Sequence, residues 1–217
     1  PSNMIAEQLR QHGYTAQLHV ISNGISPEYF YGKQPKETWM QGFFNVLMVG
    51  RYAGEKRQDE LIAACTKCRH AKEIQVILAG RGPLEKKYRR LAEKLPNPIV
   101  MSFYEPARLL EILHMADLYV HTSDAEIEAM SCMEAFACGL VPVIADSPRS
   151  ATPQFALDER SLFPAGDTDV LAERIDWWLE HPEERREMEL RYAEHAKQYT
   201  LEHSIQQTEE MFRMAIR

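Results

Sequence analysis

Little in this chain points toward a membrane, a nucleic acid or an oxidising compartment. Its 217 residues hold no apolar run of the ~18 residues that would span a bilayer. The start at Pro1 is amphipathic, with no positive segment leading into an apolar one, so no signal peptide is expected. The formal charge of −7 excludes a broad basic surface for nucleic acid or anionic lipid. Among the four cysteines, Cys65-Thr66-Lys67-Cys68 is the one close pair, and it falls late in a helical pattern. A redox CxxC belongs at a helix start, and no second pair or spaced histidines complete a zinc set. Reduced, mostly buried thiols in a cytoplasmic protein are therefore expected, with no metal. Internal repeats and low-complexity tracts are also lacking. So are GxGxxG with a downstream acid and GxxxxGK[ST], which weakens dinucleotide and P-loop readings. No methionine precedes Pro1, and the chain is expected to be a piece of a longer protein.

What is present is 45% hydrophobic and 26% charged residues, enough for one good core. Helical spacing over residues 2–12 ends at Gly13, and residues 16–21 read as a strand stopping at Ser22-Asn23-Gly24. A polar stretch from Ser26 to Gln41 reads as a linker. Strands 43–49, 74–79, 99–103, 117–121 and 141–145 then alternate with helices 57–70, 84–95, 106–115 and 131–138. This alternation predicts an α/β fold, a parallel sheet with crossover helices. After the turn Pro164-Ala165-Gly166-Asp167 the chain reads as helical, over 168–180, 183–198 and 201–215.

The most informative segment runs from Glu126 to Gly139 and leads into the apolar run Leu140–Ala145. Ser131 reads as an N-cap, Glu134 as a first-turn residue and Gly139 as the left-handed C-cap. Such a strand-loop-helix junction lies at the carboxyl edge of a parallel sheet, where ligands bind and a helix N-terminus suits phosphate. Glu126 and Glu134 are candidates for holding a hydroxyl-rich ligand, although Ser131-x-x-Glu134 equally reads as a capping box. Two glycine turns follow strands. Gly50-Arg51 with Lys56 places two cations in one loop, a diphosphate clamp or a solvated loop. Gly80-Arg81-Gly82-Pro83 reads chiefly as a structural turn. His121, alone at a strand end, reads as a satisfied structural histidine.

Together these segments resemble the retaining glycosyltransferases of family 4, which have the two-domain GT-B fold. The resemblance runs through Asn23-Gly24-Ile25 with Phe30, Val49-Gly50-Arg51 with Lys56, and Gly80-x-Gly82-Pro83. It continues through Ala116-Asp117 leading to Ser123, Glu126 with Glu134 (E-x7-E), Cys138-Gly139-Leu140-Val141-Pro142, and Pro164-x-Gly166-Asp167. The resemblance implies a Rossmann-like, donor-binding C-terminal half of a GT-B enzyme. Residues 1–22 would be the tail of the N-terminal acceptor domain and 23–41 the linker. Residues 42–199 would bind the nucleotide sugar, and 200–217 would form a helix that packs on the missing domain. By the same resemblance Arg51 and Lys56 would contact the diphosphate, Glu126 the donor sugar and Glu134 the ribose hydroxyls. Gly50, Gly80, Phe103 and Tyr104 would border the nucleotide. Backbone amides after Glu126, at Ile127, Glu128, Ala129 and Met130, would reach the sugar and phosphates.

The implied activity is sugar transfer, with retention, from a nucleoside diphosphate sugar such as a UDP-sugar to a hydroxyl acceptor bound by the missing domain. No cofactor or metal is expected, and the fragment alone would be inactive. Membrane contact, if any, would come through the missing half of a cytoplasmic or peripheral enzyme. This chain departs from the family where Gly-Phe-Gly usually follows the first Glu: here it has Ile127-Glu128-Ala129, adding a third carboxylate. It also has Ser102 for a usual Gly, and Ser147-Pro148-Arg149-Ser150 where Gly-Gly-x-x-Glu is common. An epimerase of the same fold, a nicotinamide oxidoreductase and a non-catalytic binding module are the competing readings.

Overall fold

The computed structural model describes residues 1–30 and 32–215. After a first helix α1 (Asn3–Gln11), the chain enters the alternation expected of it: β1 (Phe44–Val49), α2 (Gln58–Lys67), β2 (Ile74–Ala79), α3 (Glu85–Ala92), β3 (Val100–Ser102), α4 (Pro106–Met115), β4 (Leu118–His121), α5 (Met130–Ala137), β5 (Pro142–Asp146) and β6 (Leu162–Pro164). Three helices close the described chain: α6 (Thr168–Glu180), α7 (Pro182–Ala196) and α8 (Leu201–Ala215).

The strands form one sheet in the order β3-β2-β1-β4-β5-β6, and every pairing is parallel. Parallel strands must be joined by crossovers, so the sheet is covered by helices. On one side α2 packs on α3 and α6, while α5 packs on α7. This is the Rossmann-like α/β architecture. Strands buried on both faces read as unbroken apolar runs, and β2 is buried along its whole length. Asn45 is the polar exception inside β1. It is 0% exposed, and its side-chain amide donates to the Met40 and Phe43 carbonyls, both at 2.9 Å. The sheet grows outward from β1 through β2 to β3, then jumps back to lay β4 beside β1 and grows the other way. That reversal opens a crevice between the carboxyl ends of β1 and β4, the place where such sheets take ligands.

Four expectations need correction. Residues 16–21 alternate as a strand would, yet no described segment pairs with them and no strand forms. The first bridge is instead Ile25 with Thr200, where Ile25 N–H donates to the Tyr199 carbonyl at 2.7 Å. Three residues, Leu162–Pro164, make a sixth strand too short to show a period. Ser131 is not an N-cap: α5 starts one residue earlier, behind Ala129, so Glu134 lies in the second turn and no capping box exists. Finally, α2 and α3 are shorter at both ends than their apolar spacing suggests. Gly139 does adopt the left-handed conformation, φ +78°, just past α5. All four cysteines are free and buried. Among the described residues no helix is long and apolar enough to cross a membrane.

Candidate functional site

The loop leaving β1 and the loop leaving β2 touch at their glycines. A Cβ on Gly80 would fall 2.0 Å from the Gly50 carbonyl oxygen, and one on Gly82 2.5 Å from the Tyr52 carbonyl oxygen. No side chain fits in either place, so both positions require glycine for packing rather than for φ. With the backbones this close, a cavity of about 630 Å³ opens beside them. Gly50, Arg51, Gly80, Phe103 and Tyr104 all line it. Arg81 adds a feature the sequence did not signal: its guanidinium lies over the Phe103 ring, 4.3 Å from the centroid.

A second cavity, about 690 Å³, lies at the carboxyl end of β4 and is lined by Lys56, Glu126, Ile127, Glu128, Ala129, Met130 and Arg149. Gly50 stands between the two, since a Cβ there would meet the Lys56 side chain at 3.7 Å. Two hydrogen bonds fasten the loops that carry the charged groups: Asp124 N–H donates to the Glu55 carbonyl and the Thr122 hydroxyl to the Lys56 carbonyl, each at 2.8 Å. Held this way, the Lys56 ammonium forms an ion pair with Glu126 Oε1. The Glu126 backbone is clamped from the other side, where Ala151 N–H donates to its carbonyl at 2.9 Å. Burial would raise the Glu126 carboxyl, but the adjoining His121 ring and Lys56 ammonium overcome it and hold the group down at about 2. Glu126 is thus an anion at any physiological pH.

The segment that departs from the family pattern is accounted for in part. Glu128 is only 4% exposed, and its carboxylate accepts from Asn23, at 3.0 Å from the backbone N–H and 2.5 Å from the side-chain amide. The third carboxylate therefore ties the loop after β4 to the Asn23-Gly24-Ile25 turn. Ala129 has φ +63°, a left-handed conformation that glycine adopts freely and alanine does not. Arg149 pairs with Asp124, which also accepts from the Ser147 hydroxyl at 3.1 Å.

Glu134 lines neither cavity. It is half-buried in α5, and its carboxylate accepts no hydrogen bond from any described residue. Burial raises its carboxyl to about 7, and the Glu28 carboxylate nearby adds to the rise. Arg51 is exposed beside the first cavity, and Lys56 and Glu126 meet in the second. Among the described residues no cluster of three or more His, Cys, Asp or Glu is placed to hold a metal ion. Sequence reasoning assigned no site role to Asn23 or Arg81, and it read His121 as a satisfied structural histidine, whereas its Nε2 has no hydrogen-bond partner among the described residues. Asn23 carried a signal through its place in the Asn-Gly-Ile turn and His121 through its place at a strand end, while Arg81 carried none.

The family model for Glycosyl transferases group 1 matches residues 33–198, which include the whole lining of the first cavity and Lys56, Glu126 and Arg149 of the second. The chain belongs to that family. The chain is 29% identical over 203 residues to a putative glycosyltransferase, EpsD, from Bacillus subtilis. The match covers 85% of this chain and 52% of EpsD, so the chain spans about half the length of that curated relative. Among solved structures it is 48% identical to the catalytic domain of cholesterol-α-glucosyltransferase from Helicobacter pylori, covering 72% of this chain and 99% of that one, with a TM-score of 0.70. Anabaena HepE, solved with UDP and glucose, shares the fold: TM-score 0.85 at 22% identity, over 98% of this chain and 62% of that one. The glycosyltransferase fold is the C-terminal, Rossmann-like half of GT-B.

Proposed function

We propose that this domain binds a UDP-sugar, with UDP-glucose the donor to test first, and that the whole enzyme transfers the sugar to a hydroxyl acceptor with retention of configuration. The observation that carries this reading is the Lys56–Glu126 pair at the reversal between β1 and β4. A cation and an anion held side by side at that crevice suit the two unlike ends of a nucleotide sugar, a diphosphate and a polyol. The relative that shares 48% identity is named for an α-glucosyl product, and HepE was solved with UDP and glucose.

In this reading Arg51 and Lys56 neutralise the diphosphate as the bond from the sugar's anomeric carbon to phosphate oxygen breaks. The new bond forms from the acceptor oxygen to the same face of that carbon, and the acceptor proton passes to the leaving phosphate. No protein nucleophile and no metal ion is called for. Glu126 accepts a hydroxyl of the donor sugar, and amides of residues 127–130 face the sugar and phosphates. The cavity of Gly50, Gly80, Phe103 and Tyr104 takes the nucleobase. Glu134 is assigned to the ribose by the E-x7-E resemblance alone. The acceptor is held by a further domain, to which residues 1–22 belong and against which α8 packs, residues 23–41 being the linker. A sterol is the acceptor class suggested by the Helicobacter pylori relative's name.

Calorimetric titration of the 217-residue chain with UDP, GDP, ADP and UDP-glucose tests the donor role. UDP and UDP-glucose should bind, and no binding of any at millimolar ligand to folded protein overturns it. Incubating the complete enzyme with UDP-glucose and cholesterol, followed by NMR of the glycoside's anomeric proton, tests transfer and retention. A β-linked product would exclude retention.

A further inference from the structure

Behind Glu126 stands a histidine that the fold leaves unsatisfied. His121, the last residue of β4, is 1% exposed, and its Nε2 lies 3.3 Å from Glu126 Oε1. That nitrogen makes no aligned hydrogen bond among the described residues, although the oxygen it faces also accepts from Lys56. Its other nitrogen, Nδ1, is 3.3 Å from the hydroxyl of Tyr119, which is itself 3.1 Å from the Ser131 hydroxyl. Tyr119 and His121 are two residues apart on one strand and so share a face, their rings nearly parallel at 26° with centroids 6.0 Å apart. Ser131, Tyr119 and His121 thus form a row of polar side chains, buried at Tyr119 and His121, that ends at the Glu126 carboxylate.

We propose that His121 is a positioning residue for Glu126: when the donor's diphosphate draws Lys56 away, the ring Nε2–H takes over Oε1 and holds the carboxylate so that Oε2 faces a sugar hydroxyl. This rests on the reading of Glu126 as a donor-sugar contact given above. The handover follows from charge. Lys56 sits at the end of a flexible stem and meets one carboxylate oxygen, whereas a diphosphate offers it more negative charge and more acceptor oxygens. Once Lys56 leaves, a half-buried carboxylate that has lost its cation needs another donor, and His121 is already in place. Burial lowers the ring's pKa, so it is neutral at pH 7 and carries one proton. The anion facing Nε2 fixes that proton there. Nδ1 is then the acceptor nitrogen, 3.3 Å from the Tyr119 hydroxyl.

The test compares UDP with UDP-glucose on the 217-residue chain, because only the sugar reports on Glu126. In His121→Phe the ratio of UDP-glucose to UDP affinity should fall about tenfold, with UDP itself changed less than about twofold. His121→Gln, whose amide N–H reaches the place of Nε2, should recover most of that ratio. In the unsubstituted protein, long-range proton–nitrogen correlation should find the His121 ring neutral and protonated at Nε2, a result that depends on no variant. The proposal is overturned if His121→Phe weakens both ligands alike or neither, or if the ring proton is on Nδ1. Glu126→Ala separates this from the reading beneath it. If that variant leaves the UDP-glucose to UDP ratio unchanged, Glu126 does not touch the sugar and both ideas fall; if it lowers the ratio while His121→Phe does not, only the His121 role falls.

Discussion

Asn23 and Glu128, 105 residues apart in sequence, are joined by hydrogen bonds from both the backbone and the side-chain amide of Asn23 to one buried carboxylate. The pair fastens the loop after β4 to the turn that leads into the domain. Next to it, Gly24 has φ +79° and lies so close to α8 that a Cβ would fall 2.7 Å from Leu201 Cα. The Asn-Gly-Ile turn is therefore a joint: one residue ties to the site loop, the next lets α8 approach, and Ile25 pairs its backbone with Thr200.

Removing the carboxylate of Glu128 leaves the Asn23 donors without a charged partner. Glu128→Ala should destabilise the chain by about 2 kcal/mol, and Glu128→Gln, which keeps one acceptor, by about 1 kcal/mol. Urea unfolding measures both, and a loss below a few tenths of a kcal/mol in Glu128→Ala would mean the joint is not structural.

Ala129 occupies a left-handed conformation that costs a non-glycine residue roughly 1–2 kcal/mol. Ala129→Gly should relieve that strain and raise stability by about 1 kcal/mol after the greater flexibility of unfolded glycine is counted. The midpoint of the same urea transition should move upward at constant slope, and a downward shift would show that the position is unstrained.

Glu134 gives stability a pH dependence of known sign. Its folded-state pKa is raised to about 7 from the ordinary 4.5, so the native state favours the protonated form. That contribution is complete below about 4.5 and is lost as pH rises through 7. Glu134→Gln should flatten the stability profile between about pH 5 and 7.5 relative to the parent chain. If Glu134 binds the ribose as an anion, UDP affinity should also rise across this range in the parent and not in the variant. Parallel profiles for the two proteins would show that the carboxyl titrates normally.

Arg51 is exposed and makes no side-chain bond within the described fold, so Arg51→Ala should leave stability within about 0.5 kcal/mol. It should still weaken UDP binding about tenfold, with a smaller salt dependence of affinity, because a phosphate contact is lost. Lys56→Ala should weaken UDP similarly and in addition raise the pKa of Glu126, whose cation it removes. Calorimetry at two salt concentrations checks both. Unchanged affinity in both variants would remove the diphosphate from this edge of the sheet.

The alternation of apolar runs with helical patterns made the parallel sheet legible from the chain alone, because burial on both faces leaves its mark on every residue of a central strand. Gly50, Gly80 and Gly82 were legible as turns, and Glu126 as a loop acid before a helix. The start of α5 was misread because Ser131 has the chemistry of a cap, while the chain turns earlier, at Ala129. Residues 16–21 misled for the opposite reason: alternation marks a tendency, and a strand also needs a neighbour.

The amino-acid sequence by itself determined the order of strands and helices, the acidic and basic groups available, and where the chain must turn, since these follow from local periodicity and side-chain chemistry. Only the tertiary structure decided which of those groups meet. Lys56 reaches Glu126 across 70 residues, Glu128 turns to Asn23, and His121 comes to stand behind Glu126. The physical reason is that the crossovers which reverse the sheet between β1 and β4 bring loop ends together by packing, and no spacing within either loop encodes that encounter.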